Sequence, residues 1–260
     1  LVAEGTGGRG SIACISTTSA LSSVKKPLTR LLGAKSVIPA TVAREVAGAD
    51  YFLRFDSRLA PADPVWHRLR RDLGRSELYV ERGFLPPPPG DDPAGLASIV
   101  IDEIAPYHEV DRETGLIRRL NRPGALEPAA AARADAAMAR LRAAMPTAVR
   151  SGTARRILVV DQLCDDCTLP PEEAGEGVLA GILRACVKAY PDAEVVIGRE
   201  RKPPTESDWI LGTELVGRVC GTRQIPVIEA GPDGQLPLAG FDEIHVATSE
   251  GGFHGLMAGL

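Results

Sequence analysis

The sequence from Ile157 to Ile197 reads ILVVDQLCDDCTLPPEEAGEGVLAGILRACVKAYPDAEVVI, and this stretch decides the fold class. Ile157–Val160 and Glu194–Ile197 are short apolar runs with the length of buried strands. Gly177–Ala189, between them, has the length and the apolar spacing of a helix. Short apolar strands joined through a helix are typical of a parallel sheet covered on both faces. The sequence therefore predicts an α/β fold.

The same alternation continues toward both ends of the chain. Downstream, strands are predicted at Pro226–Ile228 and Glu243–Ala247, with a helix within Trp209–Gly221. Upstream, the patterns predict strands at Ile12–Ile15, Tyr51–Phe55, Glu77–Val80 and Ser98–Ile101, and helices at Ala40–Gly48, Pro64–Leu73 and Pro128–Met145. Because the Ala-rich helix stops at Pro146 and a linker follows, we predict a boundary near residue 150, with one domain at 1–150 and a second at 151–260.

Composition excludes several classes of protein. The apolar share is 44% and the charged share 25%, which excludes wholesale disorder, and no apolar run approaches the roughly 18 residues that cross a bilayer. The net charge of −4 argues against a nucleic-acid binder. Residues 1–150 carry 21 basic and 17 acidic side chains, and residues 151–260 carry 9 and 17. The basic first half fits either an anionic partner or an ordinary solvated surface.

The cysteines and the chain ends carry two further expectations. Five cysteines in a chain of 260 residues indicate a reducing, cytoplasmic compartment rather than a disulfide framework. The chain opens at Leu1 without Met, and Gly251–Leu260 has the pattern of a helix that has just begun. We therefore expect a fragment whose second domain is incomplete at its C-terminus.

Two motif matches are weak. Gly5–Gly10 fits the spacing G-x-G-x-x-G, but only four residues precede it, and no acidic residue follows before Glu45. Cys164 and Cys167 have the spacing of a redox or zinc pair, but no second pair exists, and prolines follow where a redox pair would begin a helix. We interpret the first match as a flexible end and the second as a coincidence, so no metal site and no cofactor are predicted.

Acidic and amide side chains follow the strand Ile157–Val160. Asp161, Gln162, Asp165 and Asp166 come directly after it, and ligands of open parallel sheets bind at the carboxyl ends of the strands. These side chains have the chemistry to bind sugar hydroxyls. A helix cap and a solvated loop explain them equally well.

A second polar segment follows the strand Glu243–Ala247. Hydroxyls and glycines in Thr248–Phe253 lie between that strand and a helix, where backbone N–H groups cradle anions such as a nucleotide phosphate. The alternative is an ordinary Ser249 helix cap.

Several of these segments, in this order, resemble the retaining β-Kdo glycosyltransferases of the capsular polysaccharide biosynthesis and export family. Leu78–Leu85 is similar to the family's Glu-Asp-Gly-Phe-Leu-Arg-Ser, and Gln162 with Asp165 and Asp166 to its Gln-x-x-Asp-Asp. Thr248–Phe253 is similar to its Thr-Ser-x-x-Gly-Phe-Glu. The other matching segments are Phe52–Arg58, Ser98–Glu103, Pro106–His108 and Tyr190–Val196. Together they run from about residue 52 to the end of the chain.

The resemblance implies a fold and a reaction. The family has two Rossmann-like lobes (GT-B-like) with a cleft between them, so 1–150 is expected to be the acceptor side and 151–260 the nucleotide-sugar side. The implied donor is cytidine-activated Kdo, and the implied acceptor is a lipid-linked capsular glycan or a related polysaccharide. It further implies capsule assembly or export proteins as partners, in the cytoplasm or at the inner membrane. We expect the loops after Val80, Val160 and Ala247 to form the floor of the cleft.

The family motifs also imply roles for individual residues. Glu81 and Arg82 stand at the catalytic segment, with Arg82 at the position of the family's Asp. Arg82, Arg199 and Arg201 are candidates for binding donor phosphate or carboxylate. The residues expected to bind substrate or nucleotide are Gly83, Gln162, Asp165, Asp166, Arg199, Thr248, Ser249, Gly252 and His254.

The sequence departs from the family pattern at central positions. A guanidinium is permanently protonated and cannot act as the nucleophile, so Arg82 cannot replace the Asp. Glu81 is adjacent, but neighbouring side chains on an extended segment point to opposite faces. Gly198–Arg201 stands where the family has Lys-Pro-His-Pro, and His254 replaces the final Glu. Three hypotheses remain: an active transferase with altered chemistry, a catalytically silent relative that binds nucleotide or glycan, and an unrelated small-molecule α/β enzyme.

Overall fold

The computed structural model describes residues 12–15, 21–39, 48–55, 68, 71–74, 77–85, 98–109, 112–124, 126–144, 154–164, 168–169, 177–200, 205, 208–231 and 235–260. The chain forms two compact units, Leu1–Pro123 and Gly124–Leu260. Gly5–Gly10, nearly all of the predicted helix 40–48, and most of the predicted helix 64–73 lie outside the described residues.

The first unit is built on a mixed sheet with the strand order β2-β1-β3-β4-β5. Its elements are β1 (Ile12–Ile15), α1 (Leu21–Leu32), β2 (Ser36–Pro39), β3 (Tyr51–Phe55), β4 (Glu77–Arg82), β5 (Ile99–Asp102) and α2 (Gly115–Leu120). Strands β1 to β4 run parallel, and β5 runs antiparallel to β4. The chain returns beside the end of β4, where the Gly83 N–H donates to the Ser98 carbonyl at 2.9 Å. A strand that starts from that end must run antiparallel.

One face of the first sheet carries its hydrophobic core. Leu53, Phe55 and Val80 are fully buried there against Leu28 and Leu32 of α1. Since successive strand residues point to opposite faces, the intervening side chains of β3, β4 and β5 lie on the other face. That second face carries Arg54, Tyr79, Glu81 and Asp102 beside the apolar Phe52 and Val100. It is called the polar face below, after its charged residues.

The second unit is built on a fully parallel sheet with the strand order β8-β7-β6-β9. Its elements are α3 (Pro128–Ala144), β6 (Arg156–Asp161), α4 (Gly177–Ala189), β7 (Glu194–Arg199), α5 (Thr213–Cys220), β8 (Val227–Glu229), β9 (Glu243–His245) and α6 (Glu250–Ala258). Strand β6 is followed by β7 on one side, and β9 later joins it on the other side. The strand order therefore reverses between β6 and β9, which makes this position the switch point of the sheet.

Both faces of the second sheet are covered. Ile157, Val159 and Ile197 pack on one face against α4 and α5, with Leu183 and Leu215 among their neighbours. The opposite face packs in a separate cluster that contains Leu158, Val160, Val196, Leu236 and Phe241. Burial on both faces explains why β6 and β7 read as unbroken apolar runs.

Helix α6 lies close against β9 and the residue after it. A side chain at Gly255 would collide with Ile244, and one at Gly252 would lie 2.6 Å from Val246 Cγ2. The glycines thus let the helix backbone approach the strand directly. The helix ends at Gly259, whose φ is 90° and whose N–H donates to the Gly255 and Leu256 carbonyls. Gly251–Ala258 is therefore helical, as the pattern of this segment predicts.

Helix α3 belongs to the second unit. It packs against α6, and the Arg142 Nε donates to the Met257 carbonyl at 2.6 Å. The boundary predicted near residue 150 would have assigned this helix to the first domain, whereas the two units divide between Pro123 and Gly124. A long helix ending at a proline gives no sign of which core it covers.

The α/β class with parallel sheets is confirmed. The predicted strands and helices of the second unit are present with small shifts at their ends, and α4 has the predicted bounds. Helix α1 and strand β2 were not predicted, and β5 is antiparallel rather than parallel to its neighbour. Within the part of the chain that the structure describes, no helix has both the length and the apolar content needed to span a membrane.

Candidate functional site

A connected polar cluster of the second unit lies at the switch point, beyond the carboxyl ends of β6 and β9. The Gln162 amide Nε2 donates to Thr248 Oγ1 at 2.8 Å and to Thr168 Oγ1 at 3.5 Å. Its Oε1 accepts from the Thr248 backbone N–H at 3.1 Å, and the two threonine hydroxyls lie 2.6 Å apart. Gln162 is only 4% exposed. The amide therefore ties the loops after two neighbouring strands together.

A buried ion pair lies directly beneath this cluster. The Arg199 Nε, at the end of β7, donates to Asp161 Oδ2, at the end of β6, at 3.4 Å, and the side chains are 7% and 0% exposed. Asp161 Oδ1 accepts the Leu211 and Gln162 backbone N–H groups, both at 2.9 Å. Burial raises the pKa of Asp161 to about 6, against the lowering effects of the Leu211 N–H and the Arg199 guanidinium. Asp161 and Arg199 thus both have hydrogen-bond partners inside the protein.

The same pair fixes the segment that precedes α5. Arg199 Nη2 donates to the Leu211 carbonyl at 3.3 Å, and the guanidinium lies 5.0 Å from the centre of the Trp209 ring. The Ile210 N–H donates to the Gln162 carbonyl at 3.0 Å, and the Cys164 N–H to the Asp208 carbonyl at 2.8 Å. The loop after β6 and the segment 208–212 are therefore joined along their backbones.

A carboxylate and a hydroxyl meet at the first turn of α6. Ser249 caps this helix by accepting the Gly251 N–H at 2.9 Å, and its Oγ also donates to Glu200 Oε2. A side chain at Gly251 would lie 2.9 Å from Glu200 Oε1, so the Glu200 carboxylate lies against this turn. A negative charge is favourable at a helix N-terminus. The anion cradle predicted from Thr248–Phe253 thus already holds an anion of the chain itself.

These contacts define what the cluster can do chemically. Gln162 and the threonines are neutral groups that donate and accept hydrogen bonds, as hydroxyl recognition requires. Glu200 is an acceptor when ionised, which suits the hydroxyls of a sugar or a ribose better than a phosphate. Asp161 and Arg199 neutralise each other and support the loops. The Gln162 amide N–H groups are used within the cluster, and Thr248 is its exposed member.

In the first unit, Glu81 and Arg82 point to opposite faces of the sheet. Arg82 pairs in register with Ile99 and lies on the same face as the core residue Val80. Glu81 lies on the polar face with Tyr79 and is only 4% exposed. The carboxylate on the polar face of this segment therefore belongs to Glu81 and not to position 82.

The ends of β4 and β5 are held by structural contacts. A side chain at Gly83 would collide with Ser98. Packing against Ser98 therefore explains why a glycine occupies this position. Asp102 accepts the Ile104, Ala105 and Leu116 N–H groups at 2.8, 3.2 and 2.9 Å. Burial of Asp102 acts to raise its pKa, but the backbone donors outweigh it, and the pKa is lowered. Asp102 thus joins the end of β5 to the start of α2.

The structure brings some of the predicted site residues together. Gln162 and Thr248 are in direct contact, and Ser249 follows them in the same loop. Arg199 lies inside the protein in its ion pair, and Gly252 lies against Val246. His254 is half-buried on the second turn of α6, where its ring lies 6.4 Å from that of Phe253. Asp165, Asp166, Cys167 and Arg201 lie outside the described residues.

Sequence reasoning missed Thr168, Glu200 and Trp209 as members of the cluster. Glu200 follows β7 directly, so the rule that selected Asp161 and Thr248 would also have selected it. Trp209 and Thr168 lie in irregular segments, where no periodic signal marks a side chain. They meet Arg199 and Gln162 only through the tertiary fold.

The comparisons with known proteins identify a shared fold. No family model matches the sequence, and no curated protein matches it. Among solved structures, the β-Kdo 2,4-transferase KpsC from Thermosulfurimonas dismutans matches with a TM-score of 0.67 and 21% identity, over 95% of this chain and 77% of that one. The β-Kdo 2,7-transferase KpsC from the same organism matches with a TM-score of 0.57 and 17% identity, over 96% of this chain and 76% of that one. The chain therefore has the fold of the β-Kdo transferases that its sequence resembles.

Proposed function

We propose that this protein is a capsule-related glycosyltransferase whose second unit binds a nucleotide-activated acidic sugar. The observation that carries the proposal is the polar cluster of Gln162, Thr248 and Ser249 at the switch point of a fully parallel sheet, in a fold shared with KpsC. Ligands of such sheets bind where the strand order reverses. A structural likeness at 21% identity supports the fold, and the position of the cluster supports a donor site.

The proposed donor is cytidine-activated Kdo. In this proposal Thr248 binds a hydroxyl group of the nucleotide sugar, and Gln162 holds Thr248 in position. Glu200 would then accept from a ribose hydroxyl, because a carboxylate cannot accept from an ionised phosphate. The acceptor would be a lipid-linked glycan, which would bring the protein to the cytoplasmic face of the inner membrane.

Glu81 is the carboxylate that we propose for catalysis. In a double displacement, a carboxylate attacks the anomeric carbon while the bond to the nucleotide phosphate breaks and the nucleotide leaves. The acceptor hydroxyl then attacks that carbon, the bond to the carboxylate breaks, and a base takes the hydroxyl proton. We further propose that the two units act as the two lobes of a GT-B-like enzyme, with catalytic groups from the first and donor groups from the second.

A catalytically silent relative is the second candidate, and one observation favours it. Arg82 stands where the family has its Asp, and the chain therefore lacks the family carboxylate at that position. A silent relative would retain the donor site and bind the nucleotide without transferring the sugar.

Product formation separates these two candidates. The full chain is incubated with cytidine-activated Kdo and a lipid-linked acceptor, and the glycan product is measured for wild-type protein, Glu81→Gln and Glu77→Gln. Glu77 is a matched control because it is a buried glutamate on the same face of the same strand, 8% exposed. An active transferase requires product with wild-type protein and Glu77→Gln, and a loss of at least about a thousandfold with Glu81→Gln.

The other outcomes are equally informative. Donor binding without product would identify the silent relative. Equal activity of the Glu81→Gln and wild-type proteins would remove Glu81 from the chemistry. If neither binding nor product is detected, the proposed function is wrong.

A further inference from the structure

Helix α1 lies in a stretch of sequence whose charges are all positive. From Gly10 to Arg44 the chain has five basic residues and no acidic one. The members of this stretch that lie in α1 or directly after it, and that the structure describes, are Lys25, Lys26, Arg30 and Lys35. These four residues are called the basic cluster of α1. An ordinary solvated surface mixes charges of both signs, so this composition calls for a further explanation.

The basic cluster is exposed and has no carboxylate partner among the described residues. All four side chains are exposed to solvent, and none forms an ion pair with a residue that the structure describes. Two arginines of the same unit differ in this respect, because Arg112 donates to Glu109 at 2.6 Å and Arg118 donates to Glu113 at 2.8 Å. The charges of the basic cluster are therefore not neutralised within the described part of the chain.

Helical geometry separates these cations from the core. At 3.6 residues per turn, Lys25, Lys26 and Arg30 fall within an arc of about 140° on the circumference of α1. Leu28 and Leu32 lie outside this arc, and both are buried against the first sheet. The leucines thus fix the helix on the sheet, and the cations lie on the solvent side.

A broad anionic surface is the partner that fits the basic cluster. Three of its four cations are lysines, which act as point charges, whereas arginine has the planar fork that reads phosphates and bases in nucleic acids. Four basic residues on and beside one helix are typical of surfaces that bind anionic lipid headgroups. Because the whole chain has a net charge of −4, it binds an anionic surface only through a local excess of cations. Charge complementarity thus favours a lipid bilayer over a nucleic acid.

We propose that the basic cluster of α1 docks the protein on an anionic lipid bilayer. Each basic residue near such a surface strengthens binding by about fivefold, so four residues strengthen it by on the order of several hundredfold. Since Leu28 and Leu32 are buried in the core, the attraction is electrostatic and needs no insertion of these side chains into the bilayer. A lipid-linked acceptor would be met at this surface, but the proposal rests on the charges of α1 and requires no sugar transfer.

Vesicle sedimentation with the full chain tests the proposal. The vesicles contain phosphatidylglycerol and phosphatidylcholine in equal parts, or phosphatidylcholine alone, at about 0.1 M and about 1 M salt. The basic-cluster variant carries Lys25→Gln, Lys26→Gln and Arg30→Gln. The control variant carries Arg118→Gln, Arg119→Gln and Arg122→Gln, so it loses three exposed cations from the same unit and has the same net charge. Glutamine retains helix propensity, and thermal unfolding of each variant is recorded.

The wild-type protein and the control variant are expected to bind the anionic vesicles at least about tenfold more strongly than the neutral ones. The basic-cluster variant should bind the anionic vesicles about a hundredfold more weakly than wild-type protein. About 1 M salt should abolish binding of all three proteins, because it shortens the Debye length to about 3 Å.

Three outcomes overturn the proposal. The first is a wild-type protein that does not prefer anionic vesicles, and the second is an equal loss of binding in the two variants. The third is binding to a DNA duplex through the basic cluster without binding to vesicles, which would assign this surface to a nucleic acid. Because no transfer is measured, failure of this test leaves the proposed transferase standing, and failure of the transferase assay leaves this surface standing.

Discussion

The role open to a residue on a strand of this protein depends on the face of the sheet on which its side chain lies. Glu81 and Arg82 are neighbours in sequence, yet one lies on the polar face of β4 and the other on the core face. Strand periodicity predicts that separation without coordinates. It does not predict that Arg54 approaches the same face, because the register of β3 against β4 comes from tertiary packing.

The Asp161–Arg199 pair predicts an unusual dependence of stability on pH. The folded-state pKa of Asp161 is raised to about 6, so the folded protein holds this proton more tightly than the unfolded chain does. The contribution of Asp161 to stability is therefore complete below about pH 4 and is lost as the pH rises through about 6. We expect the free energy of unfolding of wild-type protein, relative to Asp161→Asn, to fall by on the order of 1–3 kcal/mol over this range.

Urea denaturation of both proteins at pH values from 4 to 7 measures this difference. Asp192→Asn, on an exposed turn, is the control and should show no such trend. A difference between wild-type protein and Asp161→Asn that stays constant with pH would show that Asp161 does not titrate in this range.

The candidate site was partly predictable at this scale. Gln162, Thr248 and Ser249 each follow a strand. Because ligands of parallel sheets bind at the carboxyl ends of strands, the sequence predicts these residues as members of one site. The ion pair between Asp161 and Arg199 depends on the alignment of β6 with β7, and the sequence of either strand leaves that alignment open. Arg199 was consequently predicted to bind substrate, whereas its observed partners are within the protein.

At the scale of elements, the sequence of helix α6 constrains how closely this helix packs on β9. Gly255 and Gly252 let it lie directly on Ile244 and Val246. Ser249 is a typical helix cap, and it predicts the helix that follows. The glycines of that helix explain its close approach to β9. Helix α1 was missed because LSSVKKPLTRLL contains serines and Pro27, which lower helix propensity, and its apolar face against the core compensates.

Replacing Gly255 by Ala tests the close approach of α6 to β9. The added methyl group would collide with Ile244, so we expect a loss of about 2–4 kcal/mol in the free energy of unfolding. Gly181→Ala, in α4, is the matched control, because nothing lies within 4 Å of the added methyl group. It should raise stability by about 0.5–1 kcal/mol, and chemical denaturation should separate the two variants. Equal effects would contradict the close contact.

The Ser249–Glu200 contact is tested by a double-mutant cycle. Ser249→Ala removes the helix cap and the bond to Glu200, and should cost about 1–2 kcal/mol in the free energy of unfolding. Glu200→Gln should cost about 0.5–1 kcal/mol because a charge at the N-terminus of α6 is lost. Since the two side chains are in contact, the double variant should lose less than the sum of the single losses. Strict additivity would contradict the contact.

At the scale of the whole molecule, the sequence predicts two α/β domains with a boundary near residue 150, and the chain forms two compact units that divide between Pro123 and Gly124. Helix α3 precedes β6 by a short segment and packs on α6, so it covers the second core. Periodicity shows that a helix has an apolar face, but the identity of the core that it covers depends on the complete fold. The structural likeness to two KpsC transferases covers at least 95% of the chain, so the resemblance extends across both units at the level of fold.

The central claim is that the switch point of the second sheet binds a cytidine nucleotide, and titration calorimetry with cytidine 5′-monophosphate tests it most directly. Thr248→Val removes one hydroxyl at nearly constant volume, and Thr213→Val removes an exposed hydroxyl from the same unit as a control. The account predicts binding by wild-type protein and Thr213→Val, and affinity reduced about tenfold in Thr248→Val. No binding by wild-type protein, or equal affinity in all three proteins, would contradict it.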